Sequence, residues 1–287
     1  SDSISAGIDL NLLDNLTWSI TWSETDFADR IVSTTTQDII RSDYKNFQTM
    51  TGFTPTTANP NPSVAQLQAW INDPRSDKRI IRNAADITTP DRILQSDSNA
   101  SSMLVRAWDT QIDYGFPLED VGMDGWGDIS MQLQATYVDT YQFQLAIDGP
   151  VREAVGNQNN DFGAVPTIPK IRANLRINWQ LGNHTVSTTT RYIDEVKFDA
   201  NEFSFQRFFP GSGYRGATDY LRAWTQLDVF YSYRGYEALG GELNFSVGAR
   251  NLTDRMPQQT GMIAGVAAES QDVLGRVVYA RVSYNFF

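Results

Sequence analysis

Hydrophobic and polar residues alternate along most of this 287-residue chain with a period of two, the spacing of strands whose two faces meet different surroundings. The clearest run is the last, Val277–Phe287: Val278, Ala280, Val282, Tyr284 and Phe286 share one face, and Tyr279, Arg281, Ser283 and Asn285 share the other. Near the start, Ile4, Ala6, Ile8, Leu10 and Leu12 alternate with small and polar residues. Asp14 and Asn15 then supply a turn, and Leu16, Trp18, Ile20 and Trp22 alternate again, which predicts a hairpin. Further runs lie at Met103–Phe116, Ile129–Phe143, Ile171–Leu181, Val186–Tyr192, Leu221–Tyr233 and Leu243–Ala249. The pattern predicts about nine strands.

The connections between these runs alternate in length. Short turns are expected at 13–15, 117–127, 182–183 and 235–241, and long loops at 26–99, 146–169, 198–219 and 251–275. In the first long loop Pro55, Pro60, Pro62, Pro74 and Pro90 interrupt any regular strand. There Ser63 is placed to cap a short helix carrying Val64, Leu67 and Ile71 with Trp70 beside them. Packing inside the loop is the expected role of that helix, ahead of a ligand lid. Outer-membrane barrels have this asymmetry of turns and loops, with an apolar strand face toward lipid and a polar one toward the lumen. The expected fold is therefore all-β, an antiparallel transmembrane β-barrel with long extracellular loops and short periplasmic turns. An odd strand set does not complete a bacterial barrel, whose strands are even in number, so the remaining strands are expected ahead of Ser1. A final strand with bare aromatics also fits an edge that another strand seals.

Composition narrows the function classes. A net charge of -11 and a pI near 4.5 exclude a broad basic face for nucleic acid. Zero Cys and one His leave no thiolate or imidazole cluster for a metal, so neither metal nor cofactor is expected. No apolar stretch is long enough for a membrane helix. The mean hydropathy of -0.37 is compatible with a membrane barrel, because alternating strands average out.

Two motifs carry a family resemblance: Gly248–Pro257, GARNLTDRMP, and after a loop Leu274–Phe287, LGRVVYARVSYNFF. A Gly-x-x-Asn-Leu-x-Asp segment entering the last extracellular loop, then Leu-Gly-Arg opening a terminal alternating strand, resembles the C-terminal end of TonB-dependent outer-membrane receptors. The resemblance implies a barrel of about 22 strands with a plugged lumen, of which residues 1–287 supply about nine, the plug and N-terminal strands lying outside this chain. It implies uptake of a scarce nutrient, such as an iron chelate, cobalamin or an oligosaccharide, energised by the TonB complex through the plug. It also implies an outer-membrane location, contact with its lipid, and recognition of Tyr284, Phe286 and Phe287 by the barrel-assembly machinery. The doubled Phe286 and Phe287 depart from the family, where the alternating aromatic usually comes last.

Candidate ligand contacts are the loop aromatics Trp70, Phe203, Phe205, Phe208, Phe209 and Tyr214, since exposed rings clamp a sugar or an aromatic chelate. Arg172, Arg176, Arg222 and Arg250, with Arg191, fall on polar faces and are candidates to line the lumen, their commoner role being to neutralise neighbouring carboxylates. His184 beside a turn has no second His to work with, so no Ser-His arrangement is available, and an enzyme is not expected. The competing readings are a passive porin and a soluble β-sandwich binding module, whose apolar faces would have to meet each other.

Overall fold

The computed structural model describes residues 1–33, 36–56, 59, 61–95, 97–144, 151–159, 165–197, 220–238, 240–259, 266 and 270–286. In chain order, β1 (Asp2–Leu13) and β2 (Leu16–Ser33) are followed by α1 (Thr36–Thr51), α2 (Val64–Asn72), β3 (Ile80–Arg82) and β4 (Pro90–Ile93). Then come β5 (Asp97–Pro117), β6 (Asp128–Gln144), β7 (Arg152–Glu153), β8 (Ile171–Leu181), β9 (His184–Ile193), β10 (Val196–Lys197) and β11 (Tyr220–Leu221). The chain closes with β12 (Trp224–Ala238), β13 (Gly241–Arg250) and β14 (Val277–Phe286).

Nine long strands form one antiparallel sheet in the order β1-β2-β5-β6-β8-β9-β12-β13-β14, with β7 paired to β6. Each long strand pairs with the previous long strand in the chain, so the sheet runs up and down without a crossover. It follows that every short turn lies at one end and every long connection at the other. The predicted boundaries are corrected in two places: β2 and β5 extend into the first long loop, and that loop holds α1 and the β3–β4 pair, neither of which the alternation reveals.

The cross-strand register joins the apolar stripes into one continuous face. Across neighbouring strands the Cα partners run Ala6–Trp22–Trp108–Tyr137–Ile171 and Leu10–Trp18–Ile112–Leu133–Leu175. Farther along the sheet they run Phe116–Ile129–Trp179–Val186–Tyr231–Val247–Ala280 and His184–Tyr233–Phe245–Val282. Strands form here because β-branched and aromatic side chains on one pleated face pack against their cross-strand neighbours. Tyr233 and Phe245 stack with centroids 5.3 Å apart, and Tyr284 meets Phe286 edge-on at 4.7 Å.

This apolar face is uncovered. Val278 is 66% exposed, Val282 69% and Phe286 85%, and none of the described elements packs against them as a second layer. Polar atoms on the same face are paired within the sheet: the Trp18 indole donates to Thr110 Oγ1 at 2.8 Å, and Thr110 donates to the Ser19 carbonyl. Beyond the Trp22–Trp108 pair charge enters this face, where Arg106, which interrupts the alternation, forms an ion pair with Glu24.

The buried hydrophobic residues belong mostly to the connections. One cluster joins Phe143, Ala154 and Val165, and another joins Phe47, Phe53 and Trp70. Burial by other protein atoms is thus concentrated in the loops, the inverse of a soluble sheet domain.

Candidate functional site

The polar face opposite the apolar one carries ladders of amides, hydroxyls and charges. One rung aligns Thr17, Asp113, Gln132, Arg176, Thr189 and Asp228 as successive Cα partners, and another aligns Thr21, Asp109, Thr136 and Arg172. Alternation by two places these residues on one side, and the register brings them into a row. Gln132 Nε2 donates to Asp113 Oδ1 at 2.8 Å, Gln111 Nε2 to Asp113 Oδ2 at 2.6 Å, and Thr136 to Asp109. Arg191 forms an ion pair with Asp228, whose other oxygen accepts from Gln226 Nε2 at 3.0 Å.

The sequence-predicted arginines divide between two settings. Arg172 and Arg176 are exposed on the polar face and form no ion pair among the described residues. Arg176 borders a groove of about 400 Å³ together with Asp113 and Gln132. Arg250, at the end of β13, is bonded to Asp272 at 2.9 Å. Arg222 stands off the long strands, between β11 and β12, where its N–H donates to Gln258 Oε1 and its carbonyl accepts from Gln271 Nε2.

Around these residues three long connections are bonded into one layer. Gln158 N–H donates to the Lys197 carbonyl at 3.0 Å, and Lys197 N–H donates to the Gly156 carbonyl at 2.7 Å, tying the β6–β8 loop to the β9–β12 loop. Gln258 and Gln271 tie the β13–β14 loop to Tyr220 and Arg222. The NLTDR segment anchors that third loop. Asn251 has a positive φ of 49° and is fully buried; its side chain donates to the Arg255 carbonyl and accepts from Arg255 N–H. The Arg255 guanidinium donates to the Ala223 and Thr225 carbonyls and lies over the Trp224 ring at 5.0 Å. The NLTDR segment is therefore a folded buckle, and no charge-spacing rule reveals it, because the Arg255 guanidinium is held by backbone carbonyls about 30 residues away.

The loop between β2 and β5 holds its own small core. Ser63 accepts from Gln66 N–H while Gln66 Oε1 accepts from Ser63 N–H, completing the capping box at the start of α2. Lys78 Nζ donates to the Ile71 and Asp73 carbonyls at its other end. Trp70, expected as a loop aromatic, is only 3% exposed: its ring packs against Phe47 and its indole donates to Asp43 Oδ1 at 3.1 Å. Asp43, Tyr44 and Phe47 stand in no strand pattern, yet Ile39, Asp43 and Phe47, with Ile40 and Tyr44 beside them, fall at the i, i+4, i+8 spacing of one helix face. Phe203, Phe205, Phe208, Phe209, Tyr214 and Phe287 lie outside the described residues. Phe286 and Tyr284 lie on the free-edge strand β14, where the Tyr284 hydroxyl donates to the Ala238 carbonyl at 2.8 Å. Among the described residues no three metal-ligating side chains stand together.

No protein-family model and no curated protein sequence matches the chain. Solved structures do. The chain is similar to a ferric enterobactin receptor from Pseudomonas aeruginosa, with 14% identity and a TM-score of 0.53 over 99% of this chain and 31% of that one. It is similar to the outer membrane transporter YddB from Escherichia coli, at 13% identity and a TM-score of 0.52, covering 99% of this chain and 32% of that one. It also resembles the siderophore receptor PirA from Acinetobacter baumannii, at 13% identity and a TM-score of 0.50 over 99% and 31%. At such identities the likeness is one of fold. This chain has the all-β, up-and-down antiparallel fold of a part of these outer-membrane receptors and transporters, and spans about 31% of the ferric enterobactin receptor's length.

Proposed function

We propose that the chain is the C-terminal part of the barrel of a TonB-dependent outer-membrane receptor that imports a scarce nutrient such as an iron chelate, cobalamin or an oligosaccharide. The observation that carries the reading is the continuous apolar face, which no described element covers and whose residues on β1, β5, β6, β12, β13 and β14 are exposed, while the opposite face is polar and hydrogen-bonded. A soluble protein rarely leaves so large an apolar patch to water, whereas lipid is its natural solvent. The fold of the similar receptors and the gathering of every long connection at one end of the sheet support the same reading.

In this reading β1 and β14, each paired on one side only, join strands outside this chain, and the polar face lines a lumen that holds the plug. The long connections form the extracellular rim that captures ligand. Arg172 and Arg176 present cationic groups to the lumen, and the aromatics at 203–214 belong to the rim. Tyr284, Phe286 and Phe287 form the signal for the barrel-assembly machinery, and the TonB complex acts through the plug.

The test uses the full-length protein in its own cell. It is expected in the outer-membrane fraction, and a deletion strain is expected to lose uptake of one chelate, vitamin or glycan in a manner that depends on the proton-motive force. Recovery of the protein in buffer without detergent would overturn the membrane reading. Unimpaired active uptake with lower small-solute permeability would replace the receptor with a porin.

A further inference from the structure

The connection between β2 and β5 encloses a groove of about 610 Å³, within the usual size of a small-molecule site. Its walls are mostly apolar, with Tyr44, Phe47, Leu67, Trp70 and Ile80 among them, and a carboxylate and a guanidinium, Asp43 and Arg82, share its lining.

Asp43 is 5% exposed, yet its two oxygens are unequally used. Oδ1 accepts both the Trp70 indole at 3.1 Å and the Asp77 N–H at 2.7 Å. Oδ2 accepts no hydrogen bond among the described residues; its nearest cation is Arg82 NH2 at 3.9 Å, and Arg82 is itself engaged through NH1 with the Ile87 carbonyl. Oδ2 is therefore open to the groove without a protein donor, an acceptor available to a group that enters a mostly apolar site. Burial also pushes the Asp43 carboxyl above its ordinary range, with its hydrogen bonds and Arg82 pulling against that.

The chemistry of the missing donor follows from its neighbours. A cationic group would meet Arg82 and an anionic group would meet Asp43, so the donor is neutral. A sugar would bring many hydroxyls, and beyond Asp43 and Arg82 the lining offers few polar side chains, Asn61 and Thr88 among them, to meet them. A flat ring with one hydroxyl meets the aromatic walls with its faces and Asp43 with its O–H. We propose that this groove is a binding site for a neutral phenolic ring whose hydroxyl donates to Asp43 Oδ2. The site belongs to the loop alone and stands whether or not the strands close into a barrel.

The test compares 4-fluorophenol with 4-fluoroanisole, which keeps the ring and loses the donor, by fluorine NMR titration of the full-length protein in detergent. The phenol is expected to bind about tenfold more tightly, the worth of one hydrogen bond to a charged group. Asp43→Asn should remove that preference, and Leu67→Trp, which projects an indole into the groove while leaving Asp43 and its donors in place, should weaken binding of both compounds. Micelle partitioning is common to all three proteins and cancels in the comparison. Equal binding of the two compounds to the wild type, or a preference that survives Asp43→Asn, would overturn the proposal. Should Asp43→Asn lose the loop's fold, Leu67→Trp decides: undiminished phenol binding there sinks the site.

Discussion

The backbone N–H of Asn251 donates to Asp228 Oδ1 at 2.9 Å, joining the residue that leaves β13 to the polar face of β12. The same carboxylate holds Arg191 of β9 and Gln226 of β12, so one side chain connects the start of the last long loop to two strands. Asn251 turns the chain with φ at 49° while its amide closes on both backbone groups of Arg255.

Asn251→Ala removes both side-chain bonds and leaves the half-buried Arg255 backbone groups without their partner, a loss of about 1–3 kcal/mol in local stability. Asn251→Gly relieves the backbone conformation and suffers only the loss of the bonds. Hydrogen exchange across 251–259 should therefore rise in both variants and more in the alanine one. Protection equal to wild type in Asn251→Ala would show that the buckle is dispensable.

Two glycines in the β5–β6 turn separate backbone strain from close contact. Gly125 and Gly127 have φ of 76° and 81°, but a Cβ at Gly125 meets open space, while one at Gly127 would meet the Gln180 carbonyl. Gly125→Ala is expected to cost about 1 kcal/mol from strain alone, and Gly127→Ala clearly more, because the turn must lift off β8. Thermal unfolding of the detergent-solubilised protein reads the difference; equal shifts would place the turn elsewhere.

Val247 and Ser246 are neighbours on β13 that point to opposite faces. If the apolar face meets lipid, Val247→Arg should reduce the folded fraction by an amount equivalent to about 2–4 kcal/mol near the bilayer midplane, and Ser246→Arg should be tolerated. Heat-modifiable migration on gels after refolding into vesicles measures both. The reverse order would exchange the assignment of the faces.

Asp43 gives the β2–β5 loop a pH dependence of known sign. Its folded-state carboxyl titrates above the ordinary 3.8, mainly through burial. The stability this contributes is complete below the unfolded value and is lost as pH rises through the folded one. Asp77 works oppositely. Burial raises its carboxyl, but the bonds from Arg79 outweigh that and lower it, so its contribution is lost only as pH falls below 3.8. Between about pH 4 and 7 the Asp43 effect governs, and protection factors of the α1 amides should fall as pH rises. Asp43→Asn should flatten that trend; an unchanged slope would assign it to another group.

Strand number, the side each residue takes, and the alternation of short turns with long connections were legible in the sequence because each depends on a local period of two. The Ser63–Gln66 cap was legible for the same reason: its partners are three residues apart. Arg106 looked like a flaw in its strand, and only the register explained it by placing Glu24 opposite. The same limit applies to Arg222, whose backbone partners lie far along the chain, and to Asp43, whose donors come from Trp70 and from Asp77. By itself, then, the sequence determined that this chain makes a sheet with one apolar and one polar face. The tertiary structure alone decided that the apolar face stays uncovered, that the loops hold the buried cores, and which charges meet. Those outcomes depend on distances between residues tens of positions apart, which a local hydrophobic pattern does not encode.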